Sequence, residues 1–323
     1  MKAWQVKARG EPAQVMAITD LTLEPPGAGE LQIRVASSAL ALPDVLMCRG
    51  TYPLTPKHPF TPGQEFVGTV TAVGVGVETK VGARVMGVSA FMIGRGAFAE
   101  ECKTYEKMIF PAPSTIDDAS AAGFTIAYHT AYIALSRRAR LTSGETLLVH
   151  GGAGGTGSAA IQLGKALGAR VIATASSEDK LALCRELGAD HVIDYSKENF
   201  AAVVTKLTQG RGADVVFDPV GGATFEKSLN CVALEGRLLP IGFASGRWGA
   251  IMPELLAFKN ASVIGAMPSG FSREFMLSMH DELLKLFAGG KIRMAVETIG
   301  FDEIGSALQQ LADRKVRGRL VAS

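Results

Sequence analysis

Residues 147–157 read Leu-Leu-Val-His-Gly-Gly-Ala-Gly-Gly-Thr-Gly, an apolar strand running directly into a complete G-x-G-x-x-G turn. A stretch of small and apolar residues, Ser158 to Leu167, follows as a helix. Strand, glycines and helix in that order are what a dinucleotide pyrophosphate needs. Gly152 is expected to permit the tight turn, and Gly154 to let the backbone approach the phosphates. Gly157 then allows the helix to pack closely on the strand. Gly155 and Thr156, inside the turn, belong to the helix N-terminus, whose free N–H groups face the anion.

If this turn binds a dinucleotide, the end of the next strand should meet the adenosine ribose. NAD-binding versions place a carboxylate there to hold the 2′-hydroxyl. Here the position falls at Ala175, followed by Ser176, Ser177, Glu178, Asp179 and Lys180. No carboxylate stands where NAD would want one, whereas the hydroxyls, the lysine and a helix N-terminus suit a 2′-phosphate. The expected cofactor is therefore NADPH. Ser176 or Ser177 as a plain N-cap with acidic residues in the first turn is the competing reading.

The elements that must position these residues fall into two kinds. From Trp4 to Pro113 short alternating strands, such as Leu31-Gln32-Ile33-Arg34-Val35, lie between Gly and Pro breaks, as in a partly closed β-barrel. After Pro113 strands and helices alternate, and two helices end in Leu-Gly-Ala, at 167–169 and 187–189. Further strands are expected at 191–194, 214–218, 237–241 and 260–265. Six strands with crossover helices predict an α/β fold, a doubly wound parallel sheet beside the β-barrel domain. The boundaries expected are residues 1–122 for the first domain, 123–267 for the nucleotide-binding domain, and 268–323 returning to the first.

The composition constrains function by exclusion. The 323 residues carry a formal charge of only +2, with Lys and Arg scattered, so no nucleic-acid or membrane-binding face is expected. No apolar run reaches bilayer-spanning length, and residues 1–10 lack a signal-peptide core, which points to a cytoplasmic protein. The four cysteines (Cys48, Cys102, Cys184, Cys231) are widely spaced and read as reduced, buried thiols.

Along nearly its whole length the chain resembles the medium-chain dehydrogenase/reductase superfamily, and within it the zinc-free NADPH:quinone oxidoreductase branch. The likeness rests on Pro62-Gly63-Gln64-Glu65, Tyr128-His129-Thr130-Ala131-Tyr132, Gly144 to Gly151, Gly188 to Tyr195, and Asp218-Pro219-Val220-Gly221-Gly222. It implies a GroES-like domain, a Rossmann domain and a cleft between them. It also implies Tyr195 and Lys180 near the adenosine phosphate, and Gly242 and Phe243 beside the nicotinamide. Thr130 is a candidate for the carboxamide or a helix-interface filler. Arg319 is a candidate for a phosphate or an ordinary solvated arginine. His129 and His150 are expected to be packed supporting groups.

Many relatives are zinc alcohol dehydrogenases, but here Gln64 replaces the histidine of their G-H-E motif and Ala41-Leu42-Pro43-Asp44 holds no cysteine ligand. No bound metal is expected. Without zinc to lower a hydroxyl pKa, alcohol oxidation loses its main assistance. Hydride addition to a quinone or an α,β-unsaturated carbonyl moves charge onto an oxygen that hydrogen bonds can stabilise. The branch commonly has Asn where this chain has Ala41, and some members have Tyr where it has Leu46. Tyr52 is the remaining phenol near this segment, either a proton donor to the acceptor oxygen or a packed loop residue. Asp44 is a candidate to orient the loop or contact the ribose, or to cap a helix near Val45.

The leading expectation is an NADPH-dependent reductase of quinones or small enones. An enoyl-thioester reductase, and a weakly catalytic NADPH-binding structural or RNA-associating protein, are the alternatives. A homodimer through the free edge of the last Rossmann strand is also expected.

Overall fold

The computed structural model describes all 323 residues. They divide into two compact units, Met1–Ile126 with Met294–Ser323, and Ala127–Arg293.

In chain order the first unit opens with β1 (Lys2–Val6), α1 (Pro12–Val15), β2 (Met16–Asp20), β3 (Glu30–Ala39) and α2 (Leu42–Cys48). It continues with β4 (Glu65–Val73), β5 (Arg84–Val88), β6 (Glu101–Tyr105) and β7 (Ile109–Pro111). The division falls within α3 (Asp118–Tyr132). The second unit holds β8 (Thr146–Val149), α4 (Gly155–Ala166), β9 (Arg170–Ala175), α5 (Glu178–Glu186), β10 (His191–Asp194) and α6 (Phe200–Leu207). After these come β11 (Ala213–Asp218), α7 (Gly222–Ser228), β12 (Val232–Pro240), α8 (Pro253–Lys259), β13 (Ser262–Val263) and α9 (Arg273–Ala288). The chain closes with β14 (Val296–Ile299), α10 (Ile304–Ala312) and β15 (Arg319–Ala322).

In the first unit the sheet order is β14-β15-β3-β4-β5-β7, with β6 branching onto β3. The long β3 explains this branching. Leu31 and Ile33 point into the core, while the strand pairs antiparallel with β4 and with β6 at once. Irregularities in the β3–β4 register at Gln32/Ile33 and Val35/Ser37 bend the sheet toward closure.

In the second unit all six strands are parallel, in the order β10-β9-β8-β11-β12-β13. Numbered within the sheet this is 3-2-1-4-5-6, the doubly wound arrangement. β8 is buried on both faces, as a central parallel strand requires, which is why it reads as an unbroken apolar run. Gly168 and Gly188, the glycines of the two Leu-Gly-Ala endings, have φ of 83° and 101° and terminate their helices in the left-handed region.

Several boundaries differ from expectation, among them the start of β12 at Val232 rather than 237 and the end of the first unit's opening segment at Ile126 rather than 122. The last strand is Ser262–Val263 rather than 260–265, because only Arg237 and Leu238 of β12 offer it partners. The helix after the glycine turn begins at Gly155, not Ser158. The return to the first unit comes at Met294 rather than 268. α9 stays with the second unit because His280 and Glu282 face His129 and Tyr132 of α3.

Candidate functional site

The glycine turn leaves β8 through His150, whose imidazole is buried between the hydroxyls of Thr174 (3.0 Å) and Ser228 (2.8 Å). With no charge nearby, burial pushes its pKa down to about 3, so it is a neutral structural bridge. The tight turn itself is made by Gly151, at φ 58°, and not by Gly152. Gly152 is required for packing, since a Cβ there would lie 2.8 Å from Cys184 Sγ and 3.0 Å from both Ala173 Cβ and Ile161 Cδ1. At Gly157 a Cβ would come 2.2 Å from the carbonyl oxygen of Gly151, so only glycine lets α4 close onto the turn.

Gly154 differs from both. It is the exposed N-cap of α4, and a Cβ there would meet nothing nearer than the Gly151 oxygen at 3.4 Å. The protein leaves that space open. The N–H groups of the first turn of α4 have no partner within the helix and face the same opening. An open backbone approach at Gly154 and a helix N-terminus without an acidic side chain fit a pyrophosphate.

The other cofactor candidates of the second unit stand at the carboxyl ends of neighbouring parallel strands. Ala175 ends β9, and its carbonyl accepts the N–H of Tyr195 (3.1 Å), so those two residues lie side by side. Tyr195 is exposed, Ser176 and Lys180 are half-buried, and Ser177 is the N-cap of α5 without a side-chain cap bond. Gly242 and the half-buried Phe243 follow β12, where Gly242 N donates to the Asp218 carbonyl (3.3 Å) and Phe243 packs on Trp248. Ligands of open parallel sheets bind at this end. Thr130 is buried on α3, next to His129, whose Nε2 lies 3.0 Å from Nδ1 of His280. Burial holds the His129 pKa well below the usual imidazole value.

Asp218, quoted in the sequence only as part of a motif, closes β11. Its Oδ1 accepts the N–H groups of Val220 (2.7 Å) and Gly221 (3.1 Å), while its buried Oδ2 has no partner. Burial raises its pKa to about 6.

The first unit holds Tyr52, Asp44 and Arg319. Asp44 is fully buried at the third position of α2, which begins at Leu42 rather than near Val45. Its Oδ2 accepts Ala41 N (2.9 Å) and its Oδ1 accepts Gly63 N (3.1 Å). Burial pushes its pKa up to about 7 against those two donors. Oδ2 thus caps the N-terminus of α2 at Ala41, and Oδ1 ties that helix to the turn before β4, so the capping alternative describes Asp44. Arg319 also departs from the expected phosphate contact or solvated arginine. It is buried and paired with the fully buried Glu65, which in turn accepts the N–H of Ile126 (2.7 Å). Tyr52 is half-buried against the core around Phe60 and Phe91. Burial raises its pKa, the nearby Gln64 amide lowers it, and Asp44 adds to the rise.

In the sequence Gln64 shows only that the zinc-binding histidine is missing. The structure makes it a buried polar residue whose Nε2 has no hydrogen-bond partner, a placement that its flanking Pro-Gly and Glu gave no means to foresee. No group of three or more His, Cys, Asp or Glu side chains is gathered in a way that could hold a metal ion.

Residues 27–114 match the family described as Alcohol dehydrogenase GroES-like domain, and residues 155–279 the one described as Zinc-binding dehydrogenase. The Quinone oxidoreductase-like protein 2 homolog of Nematostella vectensis is 36% identical over 302 residues, 91% of this chain and 82% of that protein. Among solved structures, Escherichia coli quinone oxidoreductase complexed with NADPH aligns with a TM-score of 0.92 at 28% identity, covering 100% of this chain and 99% of the other. A mycobacterial protein complexed with NADPH aligns with a TM-score of 0.91 at 32% identity, over 100% of this chain and 99% of that one. The family matches, the sequence identity and the structural alignment agree: the chain belongs to the medium-chain dehydrogenase/reductase superfamily, in its quinone oxidoreductase branch.

Proposed function

We propose that the protein is an NADPH-dependent reductase that passes hydride, without a metal ion, to quinones or small α,β-unsaturated carbonyl compounds. The observation that carries this reading is the Gly151–Gly157 turn, open at Gly154 and closed by necessity at Gly157. Bound there, NADPH supplies the hydride.

The residues of the chain divide the remaining work. The first-turn N–H groups of α4 hold the pyrophosphate. Ser176, Lys180 and Tyr195, grouped around the end of β9, receive the 2′-phosphate, and Ala175 supplies no carboxylate to repel it. Gly242, Phe243 and Thr130 serve the nicotinamide end. Tyr52 donates a hydrogen bond, and then its proton, to the acceptor oxygen as charge develops there. Metal-free chemistry is supported by the donor set, with Gln64 in the histidine position of zinc relatives and no alternative ligand cluster. Acceptors that are already electrophilic suit such a site.

The test is loss of nicotinamide absorbance with purified protein, offered quinones, then small enones, then enoyl-CoA thioesters. Turnover with the first two classes and NADPH is the expected result. Turnover confined to thioesters would replace this reading with enoyl-thioester reduction. NADPH binding with no turnover on any acceptor would leave a nucleotide-binding protein without this activity.

A further inference from the structure

Residues 241–252, between β12 and α8, form neither helix nor strand, yet they are fastened to the rest of the second unit. Ala244 N donates to the Pro219 carbonyl (3.1 Å) and Ser245 N to the Val220 carbonyl (2.8 Å). Both ends of the Arg247 guanidinium meet the Glu226 carboxylate of α7 (2.8 and 3.3 Å), which also accepts Ala250 N (3.0 Å). Glycine makes the close approach possible. A Cβ at Gly221 would lie 2.7 Å from the Arg247 carbonyl oxygen, and one at Gly249 would lie 2.6 Å from Phe225 Cβ.

Trp248 is carried between the Arg247 and Ala250 anchors. Its ring centroid stands 4.9 Å from that of Phe243, and about half of the residue is exposed. With Gly242, Phe225, Pro240, Ile251 and Val263 it lines a cavity of about 190 Å³. Among the lining side chains only the indole N–H can form a hydrogen bond, and none is charged. Ordered water needs several polar partners, so this space favours an apolar occupant. At about 30 Å³ per water-sized group it takes roughly six carbon atoms, far less than a dinucleotide.

We propose that this cavity receives the apolar tail of the electron acceptor, with Trp248 and Ile251 as its specificity-determining walls. This rests on the reductase reading above, which assigns Gly242 and Phe243 to the nicotinamide end. Gly242 lines the cavity and Phe243 touches Trp248, so a substituent running from the reacting end past Phe243 meets the indole next. The tail is uncharged, because the cavity offers no counter-charge to a buried ion. Each methylene buried there is worth about fourfold in affinity. The favoured acceptors are therefore enones and quinones with a hydrocarbon substituent of several carbons, ahead of the smallest members of either class.

The test compares oct-1-en-3-one with but-3-en-2-one, which differ only in tail length. In the parent, kcat/KM with NADPH is expected to favour the longer enone by at least ~30-fold. That ratio should fall about tenfold in Trp248→Ala and likewise in Ile251→Asn, a second variant on a half-exposed residue. Binding is read without turnover or nucleotide, because the second unit forms the cavity alone. Trp248 and Trp4 are the two tryptophans of the chain, so in a Trp4→Phe background the indole emission reports Trp248. Octan-3-one should move it to shorter wavelength saturably, and butan-2-one should not. An equal response to both ketones, or a chain-length ratio unchanged in both variants, would overturn the proposal. So would a Trp248→Ala protein that sediments differently from the parent, since the indole would then belong to a contact between chains. A saturable octan-3-one shift with no turnover on any acceptor would keep the apolar cavity and remove the reductase reading. Turnover with no preference for the longer enone would do the reverse.

Discussion

Lys180 lies in the first turn of α5, the end of a helix where a cation is electrostatically misplaced. Glu178 and Asp179 already complement the helix dipole there. A 2′-phosphate at the end of β9 would meet this ammonium as a counter-charge. Lys180→Ala is therefore expected to weaken NADPH binding by about tenfold, some 1.4 kcal/mol, while NADH binding changes little. Fluorescence titration of both nucleotides measures this, and equal losses would remove Lys180 from the phosphate site. Asp44 carries a different signature. Unfolded, it releases its proton near pH ~4, but the folded chain keeps it to about 7. The folded state is favoured by this group below pH ~4, and that advantage is lost as pH rises through 7. Relative to Asp44→Asn, which does not ionise, the parent should lose on the order of 4 kcal/mol between the two ends of that range. Denaturant unfolding at both pH values tests it, and a difference that stays flat with pH would show Asp44 titrating normally. Residues of this kind were the least legible in the sequence. Asp44 finds Gly63 at 19 positions' distance and Arg319 finds Glu65 at 254, and no local pattern announces such partners.

Elements were far more legible, because the strand–turn–helix unit is a local requirement. The six parallel strands follow from apolar runs separated by helices, two of them with glycine ends. What local text left open was which glycine did what. Gly151 supplies the positive φ that Gly152 was expected to supply, and the reason lies in Cys184 and Ala173, which belong to other elements. The structure separates the two remaining glycines experimentally. Gly157→Ala sets a Cβ 2.2 Å from a backbone oxygen that cannot move away without opening the turn. It should destabilise the second unit by ~1–3 kcal/mol, the range for overpacking, and abolish measurable NADPH binding. Gly154→Ala makes one ordinary contact, with the Gly151 oxygen at 3.4 Å, in an extended conformation (φ −87°, ψ 170°), so its melting temperature should match the parent. Its methyl would occupy the phosphate approach, and NADPH affinity should fall at least ~10-fold. Thermal unfolding with and without nucleotide reads both. If Gly154→Ala binds NADPH as the parent does, the pyrophosphate does not lie over this turn.

At the scale of the whole molecule, the helix pattern of 273–288 could not say which core would receive it. An amphipathic stripe specifies that a helix is buried on one side, not against what. α9 joins the second unit through His280 and Glu282, and the division therefore falls 26 residues later than the expected 268, at Met294. The same limit applies to surfaces. β13 ends the six-stranded sheet with one edge unpaired, and large apolar side chains cluster in the same stretch of chain. Phe258 is 80% exposed, Met267 70%, and Trp248 and Ile251 about half. A free edge beside such residues invites association unless it is covered. A second copy of the chain, pairing β13 with β13, would cover both at once and form a closed two-fold contact. Sedimentation velocity at micromolar concentration should give a two-chain species. Phe258→Asp, which places a charge on the exposed face without touching the core, should shift it to a single chain with its circular dichroism unchanged. A parent protein that sediments as a single chain, or a Phe258→Asp variant that remains paired, would leave the β13 edge without this partner.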